Sequence, residues 1–195
     1  MVRKRIERLN IEVRFNSEIT SKDQLKDFDD VIVASGAIAN RPRISGLEKS
    51  IEACEYLYGK EVGQKVIIIG GGLSGCEIAY DLFKKGKTPI IVEMKNDLIA
   101  MKGVCLANSS FLRDFFELNK VEVHLETALV KVTDTGVVVR DKDGKEFEIA
   151  GDTVITSMGY RPKPAFEGAK LVGDCKKVGN LRTVVWGAWN VAMKI

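Results

Sequence analysis

Three glycines and one acid are the residues of this sequence best placed to do chemistry. Gly70-x-Gly72-x-x-Gly75 follows the apolar run Val66-Ile67-Ile68-Ile69, and Glu93 lies 18 positions after Gly75. Each glycine answers a separate physical need. The first permits a tight turn out of a strand, the second lets backbone approach a diphosphate without an intervening Cβ, and the third lets helix and strand pack closely. A diphosphate then sits on unpaired N–H groups at the positive end of a helix dipole. A carboxylate at position 93 accepts hydrogen bonds from ribose hydroxyls and repels a 2′-phosphate, so NAD(H) is favoured over NADP(H). Lys95, two residues further on, softens that preference. The expected cofactor contacts are Gly70, Gly71, Gly72, Leu73, Ser74, Gly75, Glu93 and Met94. No catalytic residue is assigned, because hydride transfer is cofactor chemistry that the protein serves by positioning and electrostatics.

These residues need a strand–turn–helix–strand frame, and the apolar pattern supplies one. Val66–Ile69 is β-branched throughout, as in a parallel strand buried on both faces. From Leu73 to Lys85 the apolar residues recur at helical spacing, and Gly86 follows as a stop. Residues 89–93 form the next strand, a helix covers about 108–118, and 121–125 is a further strand. The period then changes to two. Segments 128–133, 137–140 and 146–149 alternate and are separated by Thr135-Gly136 and Asp143-Gly144, which predicts an antiparallel β-meander. Residues 154–156 are another apolar strand, and 181–194 a closing helix. Upstream, residues 11–15 alternate as a half-buried strand would, 31–34 is a second strand, and 50–58 suits a short helix. The fold class is α/β, a Rossmann-like domain with a parallel sheet and a meander.

Composition narrows the function classes. The 195 residues allow one sizeable domain or a domain plus part of another, and 45% hydrophobic with 29% charged is ordinary for a globular protein. The net charge of +3 points to no acidic partner, and the cluster Arg3-Lys4-Arg5 with Arg8 suits a solvated terminal segment better than nucleic-acid contact. No apolar window is long enough to span a membrane, and the basic start lacks the apolar core of a secretory signal. The cysteines Cys54, Cys76, Cys105 and Cys175 form no C-x-x-C pair. That argues against a metal site, an iron–sulfur cluster or a redox disulfide built from this chain alone, and reduced, cytoplasmic thiols are the expectation. Cys76 falls on the buried side of its helix and is expected to be inert. His124 alternates within a strand without an obvious acid partner and suits a structural role. Trp186 and Trp189, three apart on a helix, suit a core.

Four segments together resemble the pyridine-nucleotide-dependent flavoproteins of the two-dinucleotide-binding type. They are Val31-Ile32-Val33-Ala34-Ser35-Gly36, the glycine fingerprint extended to Gly75-Cys76-Glu77, Ile155-Thr156-Ser157-Met158-Gly159-Tyr160-Arg161-Pro162, and Leu171-Val172-Gly173-Asp174. Within that group the chain is similar to the C-terminal part of 2-enoate reductases and dienoyl-CoA-reductase-like NADH:flavin oxidoreductases, from about residue 9 to 195. The resemblance implies an NAD(H)-binding domain over 61–151, inserted into a partial FAD-binding domain formed by 1–60 and 152–195. It places Ser35, Gly36, Gly159, Gly173 and Asp174 beside cofactor, with Asp174 at the ribityl chain of FAD; tight turns alone would also want those glycines. It places Glu77 at the nicotinamide end, although a carboxylate there would also complement the helix N-terminus.

The implied activity is transfer of hydride from NADH to FAD, for reduction of the C=C bond of 2-enoates. FMN and a 4Fe–4S cluster would be held by preceding domains of the same enzyme. The family's first GxGxxG is not among these residues, so a fragment of a larger enzyme is expected, colourless when purified. Two other functions remain: a stand-alone non-catalytic NAD(H)-binding domain, and an NADH-dependent disulfide-reductase-like flavoprotein, against which the lack of any C-x-x-C or C-x4-C pair argues. The oligomeric state is left open.

Overall fold

Strands of β-branched residues, flanked by glycine turns and amphipathic helices, dictate the architecture. The structure, a computed structural model, describes residues 2–100 and 103–195. In chain order the elements are α1 (Val2–Arg8), β1 (Ile32–Val33), β2 (Ala37–Ala39), β3 (Ile51–Glu52), α2 (Ala53–Leu57), β4 (Lys65–Ile69), α3 (Leu73–Lys84), β5 (Thr88–Val92) and α4 (Leu106–Leu118). There follow β6 (Glu122–His124), β7 (Ala128–Thr133), β8 (Gly136–Arg140), β9 (Glu146–Ala150), β10 (Thr153–Thr156), β11 (Tyr160–Pro162), β12 (Lys170–Leu171) and α5 (Leu181–Ala192). The residues group into two units: Ala39–Tyr160, here called the sheet unit, and the segments up to Ile38 and from Arg161 onward, the flanking unit.

The sheet unit is built on five parallel strands in the order β3-β10-β4-β5-β6. Side chains alternate across a strand, and here both sets are buried. Val66 and Ile68 of β4, Ile91 of β5 and Ile155 of β10 pack with Cys76, Ile78, Ala79 and Leu82 of α3 and with Leu112 and Phe116 of α4. On the opposite face Ile67, Ile69, Ile90, Val92 and Val154 meet Val132, Val137, Val139 and Ile149 of the meander β7-β8-β9. The result is three layers: helices, parallel sheet, antiparallel sheet. Ile67, Ile68, Ile90, Ile91 and Ile155 are wholly buried, each contributing about 2–3 kcal/mol of apolar burial. The helix α3 ends where Gly86, at φ +76°, accepts the left-handed conformation that most side chains avoid.

The flanking unit is slighter. β1 and β12 form a parallel pair, Ile32 opposite Lys170 and Val33 opposite Leu171. Cys175 is buried beneath them, its thiol donating to the carbonyls of Val33 and Val172. Lys170 is ion-paired with Asp30. Helix α5 is capped by the Asn180 side chain, which accepts from the Thr183 N–H at 3.1 Å.

The α/β class, the parallel sheet and the meander match the sequence-based expectation, and three local features do not. Residues 11–15 form no strand; alternation marks a strand only where a neighbour supplies the ladder, and Ile11, Val13 and Phe15 are exposed. The 50–58 segment divides into β3 and the shorter α2, because Ile51 and Glu52 pair with β10. Trp186 and Trp189 are not core but 59% and 58% exposed, since no described residue of the flanking unit covers that face of α5. Lys4, Arg5 and Arg8 are exposed on α1. Among the described residues no helix is long and apolar enough to cross a membrane.

Candidate functional site

The order of the parallel strands creates the site. From β4 the chain runs outward through β5 and β6, while β10 flanks β4 on its other side. Connections leaving such neighbours part company at the carboxyl ends of the strands, which is where open α/β sheets place their ligands. Gly70 stands at that point, at φ +112°. A Cβ on it would lie 2.3 Å from the Ser157 carbonyl oxygen at the end of β10, so no other residue fits. Gly75 is equally constrained, since its Cβ would come within 1.9 Å of the Gly70 carbonyl. Between them Gly72 differs in kind. Nothing lies within 4 Å of where its Cβ would be, so the backbone there faces open space.

Gly72 is also the N-cap of α3, and no side chain caps the helix. Helix geometry leaves the first N–H groups without intrahelical partners, and the space beside Gly72 is open. This is the cradle that a diphosphate fits: exposed donors, a positive helix end and no side chain in the way. Ser74 and Glu77 are exposed on the first turns of α3, while Leu73 is half-buried against the core.

Glu93 follows β5 and is only 8% exposed. Its Oε2 accepts from the Gly71 N–H at 2.6 Å and its Oε1 from the Lys95 N–H at 2.8 Å. The carboxylate is thus fixed beside the glycine turn by two charge-assisted bonds, and each oxygen keeps a second lone pair. Gly71 gives its own N–H to this acid, and its carbonyl accepts the Ile99 N–H at 2.7 Å. Both of its polar groups are therefore used within the protein. Met94 is exposed at the rim. The Lys95 ammonium reaches the Ala100 carbonyl at 3.2 Å. Burial pushes the Cys76 thiol up to about 12, with the charge of Glu93 adding to it, so this cysteine is a neutral packing group.

Other sequence-based assignments fall as follows. Gly159 lies just beyond β10, exposed and at φ +78°, its carbonyl accepting the Asn40 N–H at 2.9 Å. Nearby, the Tyr160 hydroxyl donates to Glu52 Oε1 at 2.7 Å and meets the Cys54 sulfur at 2.9 Å. His124 has an acid after all: its Nε2 lies 2.8 Å from Glu122 Oε1 on the same face of β6. In the flanking unit the parallel pairing of β1 and β12 brings Ser35-Gly36 and Gly173-Asp174 to one end of the pair. There the Ser35 hydroxyl donates to the Lys163 carbonyl at 2.8 Å, and Asp174 Oδ1 accepts the Gly179 N–H at 3.1 Å. Val172, Gly173, Lys176, Lys177, Gly179 and Val184 line a cavity of about 220 Å³ in this unit. The motif gave no sign of three further contributors to the glycine turn: the Ser157 carbonyl, Leu98 and Ile99. They approach through tertiary packing that no periodicity announces.

The sequence pattern of the pyridine nucleotide-disulphide oxidoreductases matches residues 1–183. The chain belongs to that family. Cinnamate reductase from Clostridium sporogenes is 37% identical over 199 residues, covering 96% of this chain and 30% of the relative. NADH oxidase from Thermoanaerobacter brockii is 31% identical over 183 residues, covering 86% of this chain and 28% of the relative. The chain therefore spans less than a third of the length of these two members of the family. Among solved structures, that of 2-naphthoyl-CoA reductase superposes with a TM-score of 0.81 over 99% of this chain and 31% of its own, at 22% identity. That likeness shows a shared fold. NAD(H) and FAD binding are typical of this family.

Proposed function

We propose that this chain is the NADH-binding segment of an enoate-type reductase, in which hydride passes from NADH to FAD for reduction of the C=C bond of a 2-enoate. The observation that carries the proposal is the uncapped N-terminus of α3 opening on free space at Gly72, with the Glu93 carboxylate held beside it. The likeness to cinnamate reductase supports the substrate class. NADH, when bound, supplies the hydride. The protein's part is to hold and aim it. Gly70, Gly72 and Gly75 set the turn, the first N–H groups of α3 take the diphosphate, and the free lone pairs of Glu93 take the adenosine ribose. Ser74, Glu77, Met94 and Gly159 border the same edge of the sheet.

The NAD(H) site is assigned to residues 61–151. The segments 1–60 and 152–195 include this chain's share of a flavin domain, with Ser35, Gly36, Gly173 and Asp174 as its contacts and the remainder supplied by preceding parts of the same enzyme. FMN and a 4Fe–4S cluster belong, on this proposal, to those parts.

Calorimetry tests the nucleotide assignment. NADH is expected to bind more tightly than NADPH, and Glu93→Ala to weaken NADH by about tenfold, or 1.4 kcal/mol, while leaving NADPH nearly unchanged. Equal affinity for the two nucleotides in the unaltered chain would remove the assignment of Glu93.

A further inference from the structure

The segment 94–100, between β5 and α4, is irregular backbone. It is nevertheless pinned at several points, and those at Leu98 and Ile99 bear on the glycine turn. Leu98 is buried, and its Cδ2 would lie 2.5 Å from a Cβ on Gly71, so it packs directly against that glycine. The neighbouring Ile99 donates its N–H to the Gly71 carbonyl at 2.7 Å. Ile99 does so at φ +53° while only 3% exposed. A β-branched residue in the left-handed region is strained, and it persists only where its surroundings over-determine it.

What holds the segment in that conformation is a residue from elsewhere. Arg113, on α4, donates from Nε to Asp97 Oδ1 at 3.0 Å and from Nη2 to Asp97 Oδ2 at 2.9 Å. The same Nη2 donates to the Leu98 carbonyl at 2.5 Å. A planar guanidinium gripping both oxygens of a carboxylate and an adjacent carbonyl fixes direction as well as distance, which a lysine cannot do. The chain of contacts then runs from Arg113 through Asp97 and Leu98 to Ile99, on to the Gly71 peptide, and from the Gly71 N–H to the Glu93 carboxylate.

We infer that Arg113 is a positioning residue for the adenosine half of NADH: by clamping the 94–100 segment it holds the Gly71 peptide, and with it Glu93, in the geometry that meets the ribose. The inference rests on the NAD(H) site proposed above. It adds a determinant of affinity that touches no ligand and lies 20 positions from Glu93 in sequence.

The test compares Arg113→Met, which keeps the packing of the stem and loses the three hydrogen bonds, with Arg113→Lys and Asp97→Asn in the full chain. NADH, AMP and reduced nicotinamide mononucleotide are titrated calorimetrically, and circular dichroism verifies folding. Arg113→Met is expected to weaken NADH and AMP alike by about tenfold and to leave the mononucleotide unchanged. Arg113→Lys should recover only part of the loss. Asp97→Asn, whose side chain is 53% exposed, is expected to give about a threefold loss on the same two ligands; it serves if Arg113→Met does not fold. A merely structural clamp would lower the melting temperature without separating AMP from the mononucleotide. Unchanged AMP affinity in folded Arg113 and Asp97 variants, with NADH still bound by the unaltered chain, overturns this inference alone. Failure of the unaltered chain to bind NADH overturns it together with the proposed NAD(H) site.

Discussion

The sheet unit and the flanking unit contain the same kinds of side chain but dispose of them differently. Among the described residues, only Val33, Val172 and Cys175 of the buried apolar side chains belong to the flanking unit; the remainder lie in the sheet unit. Exposed large apolar residues show the reverse bias. Leu9, Ile11, Val13, Phe15, Phe28 and Ile32 from the first segment join Leu181, Val185, Trp186, Trp189, Met193 and Ile195 from the last. Helix α5 has a well-formed cap at Asn180 yet no buried residue along its length. A cap and good spacing define a helix locally, but burying its apolar face requires a second surface. In the sheet unit both faces of the strands have that surface. In the flanking unit a parallel pair of two-residue strands does not provide one. The difference teaches where stability resides.

The comparison breaks if the two units respond alike to truncation. Leu82, wholly buried between α3 and the sheet, is expected to cost about 3 kcal/mol when replaced by Ala, measured by denaturant unfolding. A smaller sharpening comes from pH. Burial raises Cys76 from an ordinary 9.0 to about 12. An acid whose folded value is raised is protonated in both states below 9, whereas above it only the unfolded chain releases the proton. Stability of the sheet unit should therefore fall as pH rises from 9 toward 12, by about 1.4 kcal/mol per pH unit at most. Cys76→Ala should flatten that slope in urea melts taken at successive pH values. Smallest of all is Trp186→Ser on the exposed face of α5, expected to shift stability by less than about 0.5 kcal/mol while improving solubility on concentration. A loss as large as that of Leu82→Ala would mean that α5 is packed after all.

Much of this was legible because it is local. The β-branched run into Gly70, the spacing to Gly72 and Gly75, and the helical period to Lys84 each constrain neighbouring residues, and α3 and β4 formed where the pattern placed them. The meander was legible for the same reason, since Gly136 and Gly144 mark its turns at positive φ. What escaped depends on partners distant in sequence. Ile32 pairs with Lys170, whereas among the described residues 11–15 find no pairing strand and Trp186 finds no covering surface. At the candidate site the glycines and Glu93 could be read from spacing. That Glu93 is tethered to the Gly71 and Lys95 amides, and that Arg113 reaches Asp97, could not. Such side-chain bonds follow from the packed geometry and leave no periodic trace.

The placement of the two indoles has a practical corollary. Trp186 and Trp189 are the only tryptophans in the sequence, and both stand on α5 in contact with water. Ultraviolet emission excited selectively at these rings therefore originates wholly from the flanking unit, and events within the parallel sheet are optically quiet. Any polypeptide that settles over α5 would move that emission to shorter wavelengths and shelter it from iodide quenching, giving a built-in reporter of assembly that needs no attached dye.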